Sequence, residues 1–150
     1  MESVQKARDY AFLLLKFRLR SEKELYERLR KKKFDEAVIK EVLVFLKERN
    51  FLDDNLFAKT WVESRLKKPF GLRRLTQELK LKGIDKEIID NRIEETRKGY
   101  SEADIVERLA KARLKKLKNI DPRKAKMRVY GYLLRRGFSP EIVSDAINQS

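Results

Sequence analysis

The chain has 150 residues, and its 38 Lys and Arg against 24 Asp and Glu give a formal net charge of +14 and a pI near 10.0. Such a surplus points to a polyanionic partner, while the absence of Cys and His excludes disulfides, thiolate nucleophiles, imidazole bases and thiol or imidazole metal sites. No apolar run approaches the length of a membrane span and the N-terminus lacks a signal-peptide core, so a soluble, cytoplasmic protein with no catalytic residue, metal or cofactor is expected.

In chain order, Tyr10, Leu13, Leu14 and Phe17 mark a first helix. Ser21 followed by Glu24 forms a capping box, which starts a second helix carrying Leu25 and Leu29. Phe34 then precedes Asp35, the N-cap of a third helix with Val38, Ile39, Val42, Leu43 and Leu46 at helical spacing. Asp53-Asp54 opens the next helix as N-cap and first-turn acid, with Leu56, Phe57, Trp61 and Val62 as its inner stripe. Later, Ser101 opens a helix with Ile105, Leu109, Ala112 and Leu117 facing inward, and Asp121-Pro122 and Ser139-Pro140 give two further starts.

The same pattern recurs. Ser21, Leu25, Leu29, Phe34, Asp35, Ile39 and Leu43 reappear as Gly71, Leu75, Leu79, Ile84, Asp85, Ile89 and Ile93, and a similar set returns at Val129, Leu133, Gly137, Phe138, Ser139, Val143 and Ile147. The fold expected is therefore all-α, with three tandem three-helix bundle repeats at 1–52, 53–98 and 99–150. The boundaries lack linker composition, which predicts an elongated, semi-rigid array. Gly83 and Gly137 stand where a helix ends in the left-handed conformation. Lys33 takes that place in the first repeat, at a strain of up to about 1 kcal/mol.

Charge is distributed unevenly, at net +5, +3 and +6 over the three repeats. In the third repeat, Arg108, Lys111, Lys115 and Lys118 recur at three and four residues, which places them on one helix face, and Lys124, Arg128 and Arg135 do nearly the same, with Lys116 and Arg136 beside them. Lys67, Lys68, Arg73, Arg74 and Lys80 form a second cluster, and Arg30 to Lys33 a third. Few acids interleave these faces, which favours a polyanion contact over a merely solvated surface in the third repeat. Trp61 has core spacing, whereas Tyr132 falls toward the charged face, where it could stack on a base or an arginine.

The run Phe51-Leu52-Asp53-Asp54-Asn55-Leu56-Phe57-Ala58, with Trp61, Arg65, Gly71, Leu75, Glu78-Leu79 and Lys82-Gly83-Ile84, resembles the central motif of the RecX family of recombinase regulators. Leu134-Arg135-Arg136-Gly137-Phe138-Ser139 is similar to that family as well. The resemblance covers almost the whole chain and departs from the family pattern at Lys33. It implies a non-enzymatic, monomeric negative regulator of RecA. Such a protein binds the RecA filament in its groove, together with single-stranded and also double-stranded DNA, and depresses filament growth, ATP hydrolysis, strand exchange and coprotease activity. The residues expected to make these contacts are Lys67, Lys68, Arg73, Arg74, Arg108, Lys111, Lys115, Lys118, Lys124, Arg128, Arg135 and Arg136. Two other readings remain open: a stand-alone helix-turn-helix DNA-binding protein, although no helix is enriched in base-reading side chains, and a structural adaptor whose charge serves solubility.

Overall fold

The computed structural model describes residues 2–149, and among these the protein contains nine helices and no strand. They are α1 (Glu2–Phe17), α2 (Glu22–Lys31), α3 (Glu36–Glu48), α4 (Asp54–Arg65), α5 (Leu72–Leu81), α6 (Lys86–Arg97), α7 (Glu102–Lys116), α8 (Pro122–Arg135) and α9 (Pro140–Asn148). None is long and apolar enough to cross a membrane. The chain divides into two compact units, one of residues 1–61 and 79–90, the other of residues 62–78 and 91–150. Helices α4, α5 and α6 thus contribute residues to both units.

In the first unit, α1, α2 and α3 enclose a core of Ala7, Ala11, Leu14, Leu25, Leu29, Ile39, Val42, Leu43, Leu46 and Leu52. The first helix forms as expected, but the large apolar residues that mark it do not all face the core: Leu13 and Phe17 are 52% and 76% exposed, and the buried positions are Ala7, Ala11 and Leu14. Alanine at i and i+4 lets helix backbones approach closely, so the small residues face inward and the large ones are left outside. The capping box forms as expected: Ser21 Oγ accepts from the Glu24 N–H and a Glu24 carboxylate oxygen accepts from the Ser21 N–H. Glu24 also receives Arg18 at 2.6 Å and Lys82 at 3.0 Å. Burial alone would raise its pKa, but Arg18, the Ser21 N–H and Lys82 together hold it at about 2.

The N-terminus of α2 is seated on the second repeat. Ser21 Oγ donates to the Lys82 carbonyl at 2.7 Å, and the Glu22 N–H donates to Asp54 Oδ1 at 2.9 Å. Asp54 therefore does more than the first-turn role read from sequence, since it caps another helix, while Asp53 caps α4 by accepting from the Asn55 and Leu56 N–H groups. Leu56 is 46% exposed rather than part of the inner stripe, whereas Phe57, Ala58 and Val62 are buried. Trp61 is half-buried, stacked on Phe57 with ring centroids 5.8 Å apart and with Lys82 Nζ 5.1 Å from its own centroid.

In the second unit, α7, α8 and α9 enclose Val106, Ala110, Val129, Leu133, Phe138, Val143, Ala146 and Ile147. Ala112 is exposed, a correction to the expected stripe, because Val106 and Ala110 set the inner direction of α7. The docking seen in the first unit is repeated here. The Leu72 N–H at the start of α5 donates to Glu102 at 3.2 Å, the Gly71 N–H to the Arg136 carbonyl at 2.8 Å and the Arg73 N–H to the Gly137 carbonyl at 3.2 Å. Asp54 and Glu102 hold equivalent places as the first residues of α4 and α7, and burial raises the pKa of both carboxyl groups, partly offset by the N–H each receives.

Candidate nucleic-acid and protein interface

The segment between α4 and α5 organises the second unit. Phe70 is 5% exposed, and the guanidinium carbons of Arg65, Arg74 and Arg136 lie 4.2, 4.3 and 4.2 Å from its ring centroid. Glu78 takes two hydrogen bonds from Arg65, at 3.0 and 2.7 Å, and one from Arg74 at 3.3 Å. Arg136 Nε donates to the Pro69 carbonyl at 3.2 Å, and the Tyr100 hydroxyl donates to the Phe70 carbonyl at 2.7 Å. Cations held close to an aromatic ring are attracted by its quadrupole, while each guanidinium keeps an edge for further hydrogen bonds. Arg74 and Arg136, both half-buried, are therefore structural as well as cationic.

Beside this cluster lies a groove lined by Arg73, Arg74 and Gln77 of α5, Leu134 and Arg135 of α8, and Gly137 and Pro140. Neither Arg73 nor Arg135 has a carboxylate within ion-pair distance among the described residues, so their charge faces solvent uncompensated. A second groove, between α7 and α8, is lined by Arg113, Leu117, Met127, Arg128, Val129, Gly131, Tyr132 and Arg135. Arg113 stacks on Tyr132 at 3.6 Å, and Arg136 reaches the same ring at 5.8 Å.

The fold thus brings Arg73, Arg74, Arg128 and Arg135 to two grooves that share Arg135, while Arg136 lines neither and packs on Phe70. Lys124, Arg128 and Arg135 are exposed on α8 while Ala125, Val129 and Leu133 are buried, which is the orientation their spacing predicts. Lys67 and Lys68 are exposed in the turn after α4. Arg108, Lys111 and Lys115 are exposed on α7 and line neither groove, and Lys111 is paired with Glu107 at 3.0 Å. Lys118 does not continue their face, since α7 ends at Lys116 with Leu117 as C-cap. Arg113, Gln77, Met127 and the cage around Phe70 were not singled out from sequence. The spacing of Arg113 from Leu109 and Leu117, four residues each way, could have marked it as the edge of the apolar face of α7.

Fold and surface define a class: an all-helical tandem-repeat protein whose arginines line shallow grooves. Sequence models of three successive domains match the chain: the first three-helix domain of RecX at residues 7–46, the second at 53–91 and the third at 100–147. The chain belongs to the RecX family of regulatory proteins. It is 37% identical over 148 residues to the regulatory protein RecX of Mycobacterium sp. (strain JLS), covering 95% of this chain and 80% of that protein. It is also 37% identical over 150 residues to the regulatory protein RecX of Bacillus licheniformis, where it spans only 54% of the relative's length. Two solved structures share the fold. A crystal structure of RecX from Lactobacillus salivarius has a TM-score of 0.83 at 22% identity, covering 99% of this chain and 96% of that one. A second, a crystal structure of regulatory protein RecX, has a TM-score of 0.80 at 21% identity, covering 95% and 72%.

Proposed function

We propose that the protein is a negative regulator of RecA. It acts by binding rather than by catalysis, as a cytoplasmic monomer built from repeats 1–52, 53–98 and 99–150. It occupies the groove of the RecA–DNA filament and depresses filament growth, ATP hydrolysis, strand exchange and coprotease activity. The observation that carries this reading, beside family membership, is the convergence of Arg73, Arg74 and Arg135 on one groove with Arg128 beside it. Arginine forks suit phosphate and carboxylate alike, so such a surface can meet DNA backbone and acidic protein surface together. Lys67, Lys68, Arg108, Lys111, Lys115, Lys118 and Lys124 extend the cationic surface through longer-range attraction. If about six phosphates are neutralised, log K for single-stranded DNA falls with log salt at a slope near −4.

The test follows ATP hydrolysis by RecA on single-stranded DNA as the protein is added. The Lys124→Glu, Arg128→Glu, Arg135→Glu triple variant should lose most of its inhibitory potency while melting close to the parent, because all three side chains are exposed. Leu133→Ala, at a fully buried position, should instead lose about 2–5 kcal/mol of stability. A triple variant that inhibits as well as the parent would remove the α8 face from the site and shift attention to Lys67, Lys68, Arg73 and Arg74. Absence of any effect of the parent protein on RecA would overturn the reading itself.

A further inference from the structure

The groove between α7 and α8 differs in chemistry from its neighbour. Its floor is apolar or flat, made by Leu117, Val129, Met127, Gly131 and the Arg113–Tyr132 pair, and Arg128 and Arg135 add further charge at its rim. Met127 is 75% exposed on a helix whose opposite side is packed. Gly131 lies in the interior of α8, where glycine costs roughly 1 kcal/mol relative to alanine. No close contact requires it, since a Cβ there would meet only the Arg135 side chain, with Nη1 at 3.2 Å. The missing side chain instead leaves the floor of a groove of about 440 Å3 open.

We infer that this groove holds an unpaired nucleobase, and so makes the protein's nucleic-acid contact selective for single strands. The inference rests on the nucleic-acid part of the reading above. A planar guanidinium lying 3.6 Å over a tyrosine ring presents a flat cationic face, the kind of surface on which bases stack. Arg128 and Arg135 at the rim stand where the flanking phosphates of such a strand would pass, and Arg135 continues into the neighbouring groove with Arg73 and Arg74. In a duplex the base faces are stacked on one another, so only the rim would be used. An acidic peptide would satisfy the rim, but the flat floor suits a planar ring better than a branched side chain.

The experiment measures binding of the full-length chain to an oligothymidylate carrying one 2-aminopurine and to a duplex of equal length, at matched salt. The parent should prefer the single strand and change the 2-aminopurine emission on binding. Gly131→Leu fills the floor with a better helix former, so the variant should melt no lower than the parent. It should lose roughly five- to tenfold in single-strand affinity, the scale of one lost base stack, with a clearly smaller loss on duplex from displacement of the Arg135 guanidinium. Met127→Ala should lose less in the same direction. Equal loss on both nucleic acids, or no loss on either, would overturn the base-holding role while leaving the basic surface in place. Loss of RecA-filament binding with normal single-strand binding would assign the groove to protein instead. Absence of nucleic-acid binding by the parent would refute the nucleic-acid part of the broader reading as well.

Discussion

Gly137→Ala should be among the most damaging single-methyl substitutions available in this chain. Gly137 has φ +95°, where a side chain costs about 1–2 kcal/mol. Its added Cβ would fall 2.6 Å from the backbone nitrogen of Arg74 and 2.9 Å from its Cα, atoms that cannot move without shifting the start of α5. That shift would strain the two backbone hydrogen bonds of the joint, from Gly71 to the Arg136 carbonyl and from Arg73 to the Gly137 carbonyl. Each is worth about 1 kcal/mol net, so the total comes to about 3–4 kcal/mol.

Two related substitutions rank the effect. At Gly83, φ is +77° and a Cβ would meet Lys23 Cβ and Cδ, both at 2.5 Å, atoms of a side chain about half exposed. Part of that clash can relax, so Gly83→Ala should cost about 2 kcal/mol. Lys33, at φ +68° and exposed, should yield up to about 1 kcal/mol on change to glycine. Urea unfolding read by circular dichroism gives the three values, and amide exchange at Gly71 and Arg73 reports the joint directly. A Gly137→Ala midpoint equal to the parent's, or a larger loss at Gly83 than at Gly137, would refute the docking geometry as the cause.

Glu24 supplies a pH dependence. Its folded pKa of about 2 lies below the ordinary glutamate value, so its contribution is present above pH ~4.5 and is lost as pH falls toward 2. With partial solvent screening the loss should be about 1–2 kcal/mol, and Glu24→Gln should abolish that part of the pH profile. Asp54 and Glu102 have raised values and so behave oppositely: charging them as pH rises through the folded value works against the fold. Asp54→Asn, which keeps the acceptor for the Glu22 N–H, should be near neutral at pH 7 by thermal melting. Asp54→Ala should cost about 1–2 kcal/mol by leaving that N–H unpaired.

Features carried by local chemistry were legible in the sequence. The Ser21–Glu24 box, the left-handed turns at Lys33, Gly83 and Gly137, and Pro122 and Pro140 at helix starts each depend on residues within a few positions of one another. Helical spacing likewise placed Val129 and Leu133 inside and Lys124, Arg128 and Arg135 outside. Illegible features depend on partners far along the chain. Asp54 reads as a helix-dipole acid until Glu22, 32 residues earlier, is brought to it. The guanidinium cage needs Arg65, Arg74 and Arg136 around Phe70, a convergence that no period in the sequence encodes. In α1 the large apolar residues mark the helix without marking its inner face, because Ala7 and Ala11 are buried by virtue of being small.

The departure at Lys33 follows from the joints. All three equivalent turns adopt positive φ, at 68°, 77° and 95°, so the turn by itself does not require glycine at the price of more than about 1 kcal/mol. Glycine occurs at the two turns onto which the second helix of the preceding repeat is docked: Lys23 stands where a Cβ of Gly83 would be, and Arg74 where that of Gly137 would be. At Lys33 the turn is exposed and the side chain extends into solvent. Close approach of a neighbouring helix, by its side chain at Gly83 and also by its backbone at Gly137, added to the left-handed conformation, is therefore what disfavours a side chain. The donor side of the joint also varies. The position aligned with Ser21 and Gly71 is Ala125 in the third repeat, and there α8 begins at Pro122, so the helix runs through the docking position with its N–H groups turned inward along the helix. Three copies of one unit thus carry different residues at the same place because each meets a different neighbour.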